Sequence, residues 1–309
     1  MTACFADSGS DACYTSIAMS KSSSSSSDSS ALALTESSPL EGLEDLCIQR
    51  FAGIANMRKA VKSQSDKLQA GDSNQQYLIF RPVTENDLAK IDQARDSIGK
   101  HTRMAHDTDT KILIVKLMPS ASHEGAHGNF TSLLIAKLIG MGMSALDLYT
   151  LGATRFAGRR SFKEGDSAFK PLTRQNENDW PTIVIESGLS ESLRRLRADA
   201  RWWLENSGGD VRIVVIISIN KAQKTLLIER WRAPLAQTKP VTGAFNNPNT
   251  LIPTKMQEIT ISSNAVNGAP LVLGFQDIFL RQAIPPEADI TYTAQDLLAW
   301  ATQFWAGLR

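Results

Sequence analysis

The spacing of hydrophobic and polar positions predicts alternating strands and helices from about residue 46 onward. Short apolar runs predict strands at 76–83, 111–117, 147–156, 167–172, 182–187, 212–219, 226–231 and 258–262. Apolar residues at helical spacing predict helices at 48–67, 85–98, 130–141, 191–206 and 294–305. The interleaving of the two kinds of element predicts an α/β fold with a mixed central β-sheet flanked by helices.

Two details make this prediction more specific. The run Ile213-Val-Val-Ile-Ile shows no alternation with polar residues, which is typical of a central strand buried on both faces. Threonines precede two of the predicted helices, so Thr84 and Thr293 are the expected N-caps. In the second of these helices, Leu297, Ala301 and Phe304 form the stripe expected to face the core.

The N-terminal segment differs from the rest in composition. It carries six consecutive serines at 22–27 and little apolar periodicity, so residues 1–45 are predicted to be disordered. Residues 46–309 are predicted to form one folded domain with its core at about 110–231. The stretch beyond Pro234, including Asn246-Asn-Pro-Asn, has the composition of an irregular segment.

Charge and cysteine usage limit the classes of function. A net charge of +1 argues against a protein that coats nucleic acid, so any such contact needs a local basic patch; Arg155, Arg159, Arg160 and Lys163 form one candidate. The three cysteines, Cys4, Cys13 and Cys47, provide neither a disulfide framework nor a zinc site. The pattern favours an intracellular location, cytoplasmic or nuclear. No apolar run is long enough to span a bilayer, so no membrane partner is expected.

The segment His123-Glu-Gly-Ala-His127 matches the H-E-x-x-H signature of zinc peptidases. Three features argue against a zinc site there. The predicted helix would only be starting after Pro119, Gly125 lowers helix propensity, and Leu133 occupies the position of a third ligand. The alternative interpretation is a polar helix start, and the peptidase hypothesis is kept as a lesser one.

Two carboxylates are the better candidates for chemistry. Asp166 precedes one predicted strand and Glu186 lies in the next, with a turn-rich loop between the two strands. Carboxylates on neighbouring strands suit Mg²⁺ or Mn²⁺, which can activate a bound water. The alternative is that Asp166 belongs to a turn and Glu186 pairs with an arginine of the following helix.

That helix carries a row of arginines. Arg194, Arg197 and Arg201 follow helical spacing on a face different from the apolar stripe. Beside a metal site, such a row could hold a phosphate through paired hydrogen bonds. The alternative is a solvated basic face paired with nearby acids.

Taken in order, these residues resemble a known family. The order is a strand ending Lys116-Leu-Met-Pro-Ser, His123-Glu124, an apolar helix, Lys163-Glu-Gly-Asp166, and Trp180-Pro-Thr-Ile-Val-Ile-Glu186 followed by a helix. It is similar to the restriction-endonuclease-like PD-(D/E)XK superfamily, in particular the Uma2-like endonucleases and their fungal relatives. The resemblance implies a nuclease fold in which Asp166, Glu186 and Glu124 bind Mg²⁺ or Mn²⁺.

The chain departs from the family pattern at two positions. Gly165 stands where the motif has proline, and Gly188 stands where it has lysine; the following helix contains arginines but no lysine. Arg197 and Arg201 are the predicted substitutes that stabilise charge on the phosphate, although an arginine does not readily give up a proton. The resulting prediction is a metal-dependent nuclease acting on DNA or RNA phosphodiesters, with DNA favoured over RNA. The alternative is a catalytically degenerate nuclease fold that binds nucleic acid or protein.

Overall fold

The computed structural model describes residues 13–14, 38–99, 101–118, 121–152, 154–233 and 252–308. The strands are β1 Cys13–Tyr14, β2 Ile48–Arg50, β3 Tyr77–Arg81, β4 Thr102–Asp107, β5 Ile112–Leu117, β6 Leu148–Thr150, β7 Arg155–Ala157, β8 Ser161–Glu164, β9 Ser167–Pro171, β10 Ile183–Leu189, β11 Ile213–Asn220, β12 Thr225–Arg232, β13 Thr254–Ile261, β14 Val266–Asn267, β15 Leu271–Leu273 and β16 Ile290–Tyr292. The α-helices are α1 Ile54–Ala70, α2 Glu85–Gln93, α3 Arg95–Ile98, α4 Ala121–Gly140, α5 Leu193–Asn206, α6 Phe275–Phe279 and α7 Ala294–Ala306.

The α/β prediction is confirmed, and the strands of the described ranges form two large sheets. The first sheet has the order β1-β2-β3-β5-β4-β8-β7, and the second has the order β14-β13-β12-β11-β10-β9-β6. In the second sheet β11 is the middle strand, and seven of its eight residues are buried. It pairs parallel with β10 and antiparallel with β12. The prediction of a central strand buried on both faces is therefore confirmed.

Each sheet is covered by helices through its apolar side chains. One face of the first sheet packs on α1 to α3, and Met57, Ile91 and Val115 lie in that core. One face of the second sheet packs on α4, α6 and α7, and the opposite face packs on α5. The two faces of β11 separate cleanly, because Val215 belongs to the first of these cores and Ile216 to the other.

Some elements differ from the prediction. The predicted helix at 48–67 divides into β2 and α1, because Gly53 adopts a positive φ of 95° just before α1. Helix α4 begins at Ala121 rather than at residue 130, so the HEGAH segment lies inside its first turns. Strands β4 and β8 were not predicted, because their polar composition, as in Thr102-Arg-Met-Ala-His-Asp, hides the alternation.

An ion pair connects the C-terminal end of α4 to the N-terminal end of α7. Thr293 caps α7 in a capping box with Asp296, which confirms the predicted cap. Lys137 of α4 places its Nζ 2.5 Å from Asp296 Oδ2. Burial opposes ionisation of Asp296, but the Lys137 ammonium and the Thr293 cap hold the pKa of this carboxyl below its usual value.

We expect Asp296→Asn to reduce stability at pH 7 by about 1 kcal/mol, the usual worth of a capping interaction. The lowered pKa means that ionised Asp296 stabilises the fold above about pH 4 and loses this effect as the pH falls further. The melting temperatures of variant and wild type should therefore differ at pH 7 and converge as the pH falls through the lowered pKa of Asp296. Asp66→Asn, in the exposed Lys62–Asp66 pair, is the control and should change little.

The packed chain begins before the predicted boundary at residue 46. Residues 38–45, which we call the N-terminal strap, lie against α5, and Leu43 of the strap is 4% exposed in a cluster with Tyr77 and Ile114. The rest of the segment predicted to be disordered lies outside the described residues, apart from Cys13 and Tyr14. The predicted irregular stretch beyond Pro234 also lies outside them.

Two further predictions meet the structure. Cys47 is disulfide-bonded, whereas the cysteine pattern favours an intracellular location, where disulfides are rare. None of the helices in the described part of the chain combines the length and apolar character needed to cross a membrane.

Candidate active site

Asp166 and Glu186 are brought together by the pairing of β9 with β10. Ser167 lies opposite Ile185 in this antiparallel pair, so the preceding Asp166 falls beside the following Glu186. Ala168 and Val184 share their strand faces with the two acids and belong to the core under α5. Both carboxylates therefore lie on the side of the second sheet that α5 covers, and both side chains are 0% exposed.

A lysine from the other sheet connects the two acids. Lys116, in β5, places its Nζ 2.8 Å from Asp166 Oδ2 and 3.1 Å from Glu186 Oε2. Burial disfavours the charged ammonium, but Asp166 and Glu186 raise the pKa of Lys116 well above its usual range. Burial also opposes ionisation of Asp166, and Lys116, His127 and Arg103 hold the pKa of that carboxyl below its usual range. The two carboxylates are thus close enough to share one cation.

A second group of charges lies behind Glu186. Trp203 Nε1 donates a 2.8 Å hydrogen bond to Glu186 Oε1, and Lys163 Nζ lies 3.5 Å from the same oxygen. Lys163 also lies 3.0 Å from Asp199 Oδ1, which is 2.9 Å from an amino group of Arg195. Burial would raise the pKa of Asp199, but Arg195 and Lys163 keep it below the usual value.

These ion pairs form one charge-balanced network. Its members are three cations and three carboxylates, namely Lys116, Lys163, Arg195, Asp166, Glu186 and Asp199. Buried charges are tolerated when each has an opposite partner, and removing one partner leaves the other charge uncompensated. The site is consequently a single electrostatic unit that joins β5, β8, β9, β10 and α5.

One oxygen of the acid pair is left without a donor. Asp166 Oδ2 accepts hydrogen bonds from Ser187 N at 2.7 Å and Ser187 Oγ at 3.1 Å, in addition to Lys116. The other oxygen, Oδ1, is buried and has no hydrogen-bond partner among the described residues. An orphaned carboxylate oxygen beside a second carboxylate is a donor set suited to a hard divalent cation that keeps part of its water shell.

That donor set is small within the described ranges. No group of three His, Cys, Asp or Glu side chains gathers there in a manner that could hold a metal ion. Asp166 and Glu186 are the two carboxylates that meet there, and a divalent cation held by them alone would need water to complete its coordination shell. The side chain of Glu124, the third predicted ligand, lies outside the described part of the chain; its backbone is in α4.

The HEGAH segment contributes one side chain that can be placed. His127 is 8% exposed, and its Nδ1 lies 2.8 Å from Oγ of Ser167, the residue after Asp166. The side chain of His123 is not among those described. His127 thus lies next to the acid pair.

The predicted arginine partners lie elsewhere on α5. Arg197 Nε is 3.0 and 3.1 Å from the two carboxylate oxygens of Glu229 on β12. Arg201 forms an ion pair with Glu41 in the N-terminal strap. The structure therefore does not bring Arg197 or Arg201 to the acid pair. The cause is helical spacing, because the positions that face the acids carry Asp199 and Trp203.

The predicted basic patch also separates into individual pairs. Arg155 pairs with Asp92 and Glu164, and Arg160 pairs with Asp109. Lys163 is buried in the acid network. A cluster along the sequence therefore becomes three different environments in the folded chain.

Close packing explains both departures from the family motif. A Cβ atom on Gly188 would lie 2.7 Å from Ser192 Oγ and 3.2 Å from Leu196 Cδ1, so a lysine at that position requires these side chains to shift. A Cβ atom on Gly165 would lie 3.1 Å from Cζ2 of Trp203, so a larger residue there requires the indole to shift. Glycine at these two positions lets α5 and its indole approach the strands that carry the acids.

Sequence reasoning missed Lys116 and the role of Lys163. The available signal was the position of Lys116 inside the fully buried strand Ile112–Leu117. A lysine in an otherwise apolar strand needs a buried carboxylate partner, because an unpaired ammonium is costly to bury. No spacing rule could identify that partner, since Asp166 and Glu186 are 50 and 70 residues away along the chain.

Comparison with family models found no match for this chain, and comparison with curated proteins found none either. Among solved structures, one that resembles it is a crystal structure from Anabaena variabilis ATCC 29413, described as a "putative nuclease belonging to DUF820". The match covers 64% of this chain and 90% of that protein, at 11% sequence identity and a TM-score of 0.36. At so low a similarity, the function of this chain has to be argued from its own site.

Proposed function

We propose that the chain is a metal-dependent nuclease that hydrolyses nucleic-acid phosphodiester bonds at the Asp166–Glu186 pair. The observation that carries the proposal is the shared cation: Lys116 Nζ lies 2.8 Å from one carboxylate and 3.1 Å from the other. Two acids and a lysine in contact are the group that the PD-(D/E)XK resemblance requires. Here the lysine comes from β5, and it takes the place of the side chain that Gly188 lacks.

The residues divide the work according to their charge. Asp166 and Glu186 would hold Mg²⁺ or Mn²⁺, which supplies charge neutralisation and a bound water of lowered pKa. Lys116 remains protonated because the acids raise its pKa. It therefore acts as a fixed positive charge that stabilises the negative charge developing on the phosphoryl oxygens. Trp203 and Ser187 orient the carboxylates through their hydrogen bonds.

A second candidate function is a nuclease-like scaffold that binds nucleic acid or protein without cutting it. The observation that favours it is the closure of the site. Both carboxylates are 0% exposed, and Glu186 already receives donors on both oxygens, from Trp203 and from Lys116. In this alternative Lys116 permanently occupies the position of the cation.

Hydrolysis assays separate the two candidates. Plasmid DNA, single-stranded DNA and RNA are incubated with the full chain and Mg²⁺ or Mn²⁺, and the products are resolved by length. We expect cleavage of DNA, and we expect Asp166→Asn and Glu186→Gln to reduce it by about a thousandfold or more, because each removes charge at the reacting centre.

Glu229→Gln is the matched control. Glu229 is also 0% exposed, pairs with Arg197, and accepts a 2.9 Å hydrogen bond from Trp231 Nε1, yet it lies outside the acid pair. Its loss should lower stability and leave cleavage by the remaining folded protein unchanged. Absence of cleavage with both metals and all three substrates would rule out the nuclease proposal and favour the scaffold.

A further inference from the structure

Three arginines on one side of α5 hold the N-terminal strap. Arg195 Nη1 donates a 2.6 Å hydrogen bond to the carbonyl oxygen of Pro39, and Arg194 lies 2.8 Å from Glu44 Oε1. Arg201 pairs with Glu41. Arg194 and Arg201 are two helical turns apart, a separation of about 10 Å. We call Arg194, Arg195 and Arg201 the arginine face of α5.

The strap is closely fitted to this face at one residue. Gly42 has φ +79°, and a Cβ atom there would lie 2.6 Å from the backbone nitrogen of Arg195. Any side chain at this position would push the strap away from α5. Leu43, buried beside the first sheet, is the apolar anchor of the same short segment. The strap is therefore held by two acidic side chains, the carbonyl oxygens of Pro39 and Glu41, one leucine and the absence of a Cβ atom.

A chain of contacts links the strap to the acid pair. Arg195 contacts both the strap and Asp199; Asp199 pairs with Lys163, and Lys163 lies 3.5 Å from Glu186. The acids themselves are fully buried. A substrate can reach them only if a covering element moves. The strap covers the side of α5 on which Arg195, the first residue of this chain of contacts, lies.

We infer that the arginine face of α5 is a binding surface for a nucleic-acid phosphate backbone, and that the acidic strap competes for it by occupying the same donors. The strap covers Arg195 and Arg201, and it pairs with Arg194, which stays 68% exposed. Guanidinium groups that bind carboxylates and carbonyl oxygens offer the same hydrogen bonds to phosphate oxygens. The choice of nucleic acid as the partner rests on the proposed function. The strap leaves the arginine face open in only a small fraction of the molecules. The apparent affinity for nucleic acid is therefore the intrinsic affinity multiplied by that fraction.

Gly42→Val tests this inference by forcing the strap away. The probe is a fluorescein-labelled single-stranded oligodeoxynucleotide of about 20 nucleotides, and binding is measured by anisotropy in EDTA at about 50 mM salt. We expect Gly42→Val to tighten binding by about tenfold, with a steeper dependence on salt, because uncovered arginines release more counterions.

Gly71→Ala is the matched control. Gly71 has nearly the same backbone conformation, φ +78°, but a Cβ atom there meets nothing within 4 Å. It places a Cβ atom on the same left-handed backbone conformation without displacing a neighbouring segment, so its affinity should equal that of the wild type. Hydrogen–deuterium exchange of residues 38–46 should rise in Gly42→Val and stay unchanged in Gly71→Ala.

Two further variants keep the test decisive if Gly42→Val folds poorly. Glu41→Gln with Glu44→Gln removes the competing charges without altering the backbone and should tighten binding severalfold. Adding Arg194→Gln and Arg201→Gln should remove the gain. Unchanged affinity in a chain whose strap exchanges freely would overturn the inference. Tighter binding without any cleavage would contradict the proposed nuclease function and support the binding surface. Cleavage without a change in binding would support the nuclease function and contradict the binding surface.

Discussion

Replacing Lys116 with methionine is expected to lower the free energy of unfolding by about 3 to 5 kcal/mol at pH 7. The side chain is 4% exposed and its ammonium is shared by two carboxylates that are 0% exposed. Methionine keeps much of the volume but leaves Asp166 and Glu186 as neighbouring buried negative charges. Denaturant unfolding followed by circular dichroism measures the difference.

A divalent cation should compensate for this loss. Mg²⁺ that binds the folded chain stabilises it by an amount that grows with its concentration relative to Kd. Without the competing ammonium, the rise in melting temperature with Mg²⁺ should be larger in Lys116→Met than in the wild type. The double variant Lys116→Met with Asp166→Asn should regain most of the stability and show no metal response, because it leaves Lys163 and Arg195 balanced by Glu186 and Asp199.

Lys62→Met provides the comparison for a surface ion pair. Its partner Asp66 is 58% exposed, so this variant should cost less than about 1 kcal/mol. If Lys116→Met were as mild, the buried network would not depend on that ammonium. If Mg²⁺ stabilised neither Lys116→Met nor the wild type, the acid pair would not be a metal site, and the scaffold function would be favoured.

The fold was predictable where the burial of a segment can be inferred from the residues of that segment alone. The unbroken apolar run at Ile213 identified the middle strand of the second sheet, and Thr293 identified the start of α7. Strand β8 was not predicted because two of its four residues, Lys163 and Glu164, are charged yet buried. A buried charge looks like a surface residue in sequence, since its partner is distant along the chain.

The same reason limits prediction of the candidate site. Asp166 and Glu186 could be selected because Asp166 directly precedes one strand and Glu186 lies in the next, and β9 does pair with β10. The cation could not be selected, because the choice between Lys116 and the arginines of α5 depends on how two sheets pack together. Arg201 was a reasonable candidate by spacing, but it pairs with Glu41 of the N-terminal strap. The sequence carries no signal that the strap packs against α5.

Trp203 is the residue whose loss should affect both packing and the site. It is 0% exposed and lies among Phe156, Trp180 and Trp202, with ring centroids 5.2 to 5.9 Å away. Trp203→Ala should therefore cost about 3 to 5 kcal/mol of stability through the cavity it creates. This change alone does not separate packing from the hydrogen bond to Glu186.

Trp203→Phe makes that separation, with Trp202→Phe as its matched control. Both changes keep an aromatic ring and remove an indole N–H whose hydrogen bond is 2.8 Å long, to Glu186 in one case and to Ser161 in the other. Losing a hydrogen bond to a charged group should cost about 1.5 to 3 kcal/mol, against about 0.5 to 1.5 kcal/mol for a neutral one. In addition, Trp203→Phe should weaken the Mg²⁺-dependent rise in melting temperature and lower kcat more than it raises KM, because Glu186 loses the donor that orients it. Equal effects of the two variants on the metal response would show that Trp203 only fills space and does not position the carboxylate.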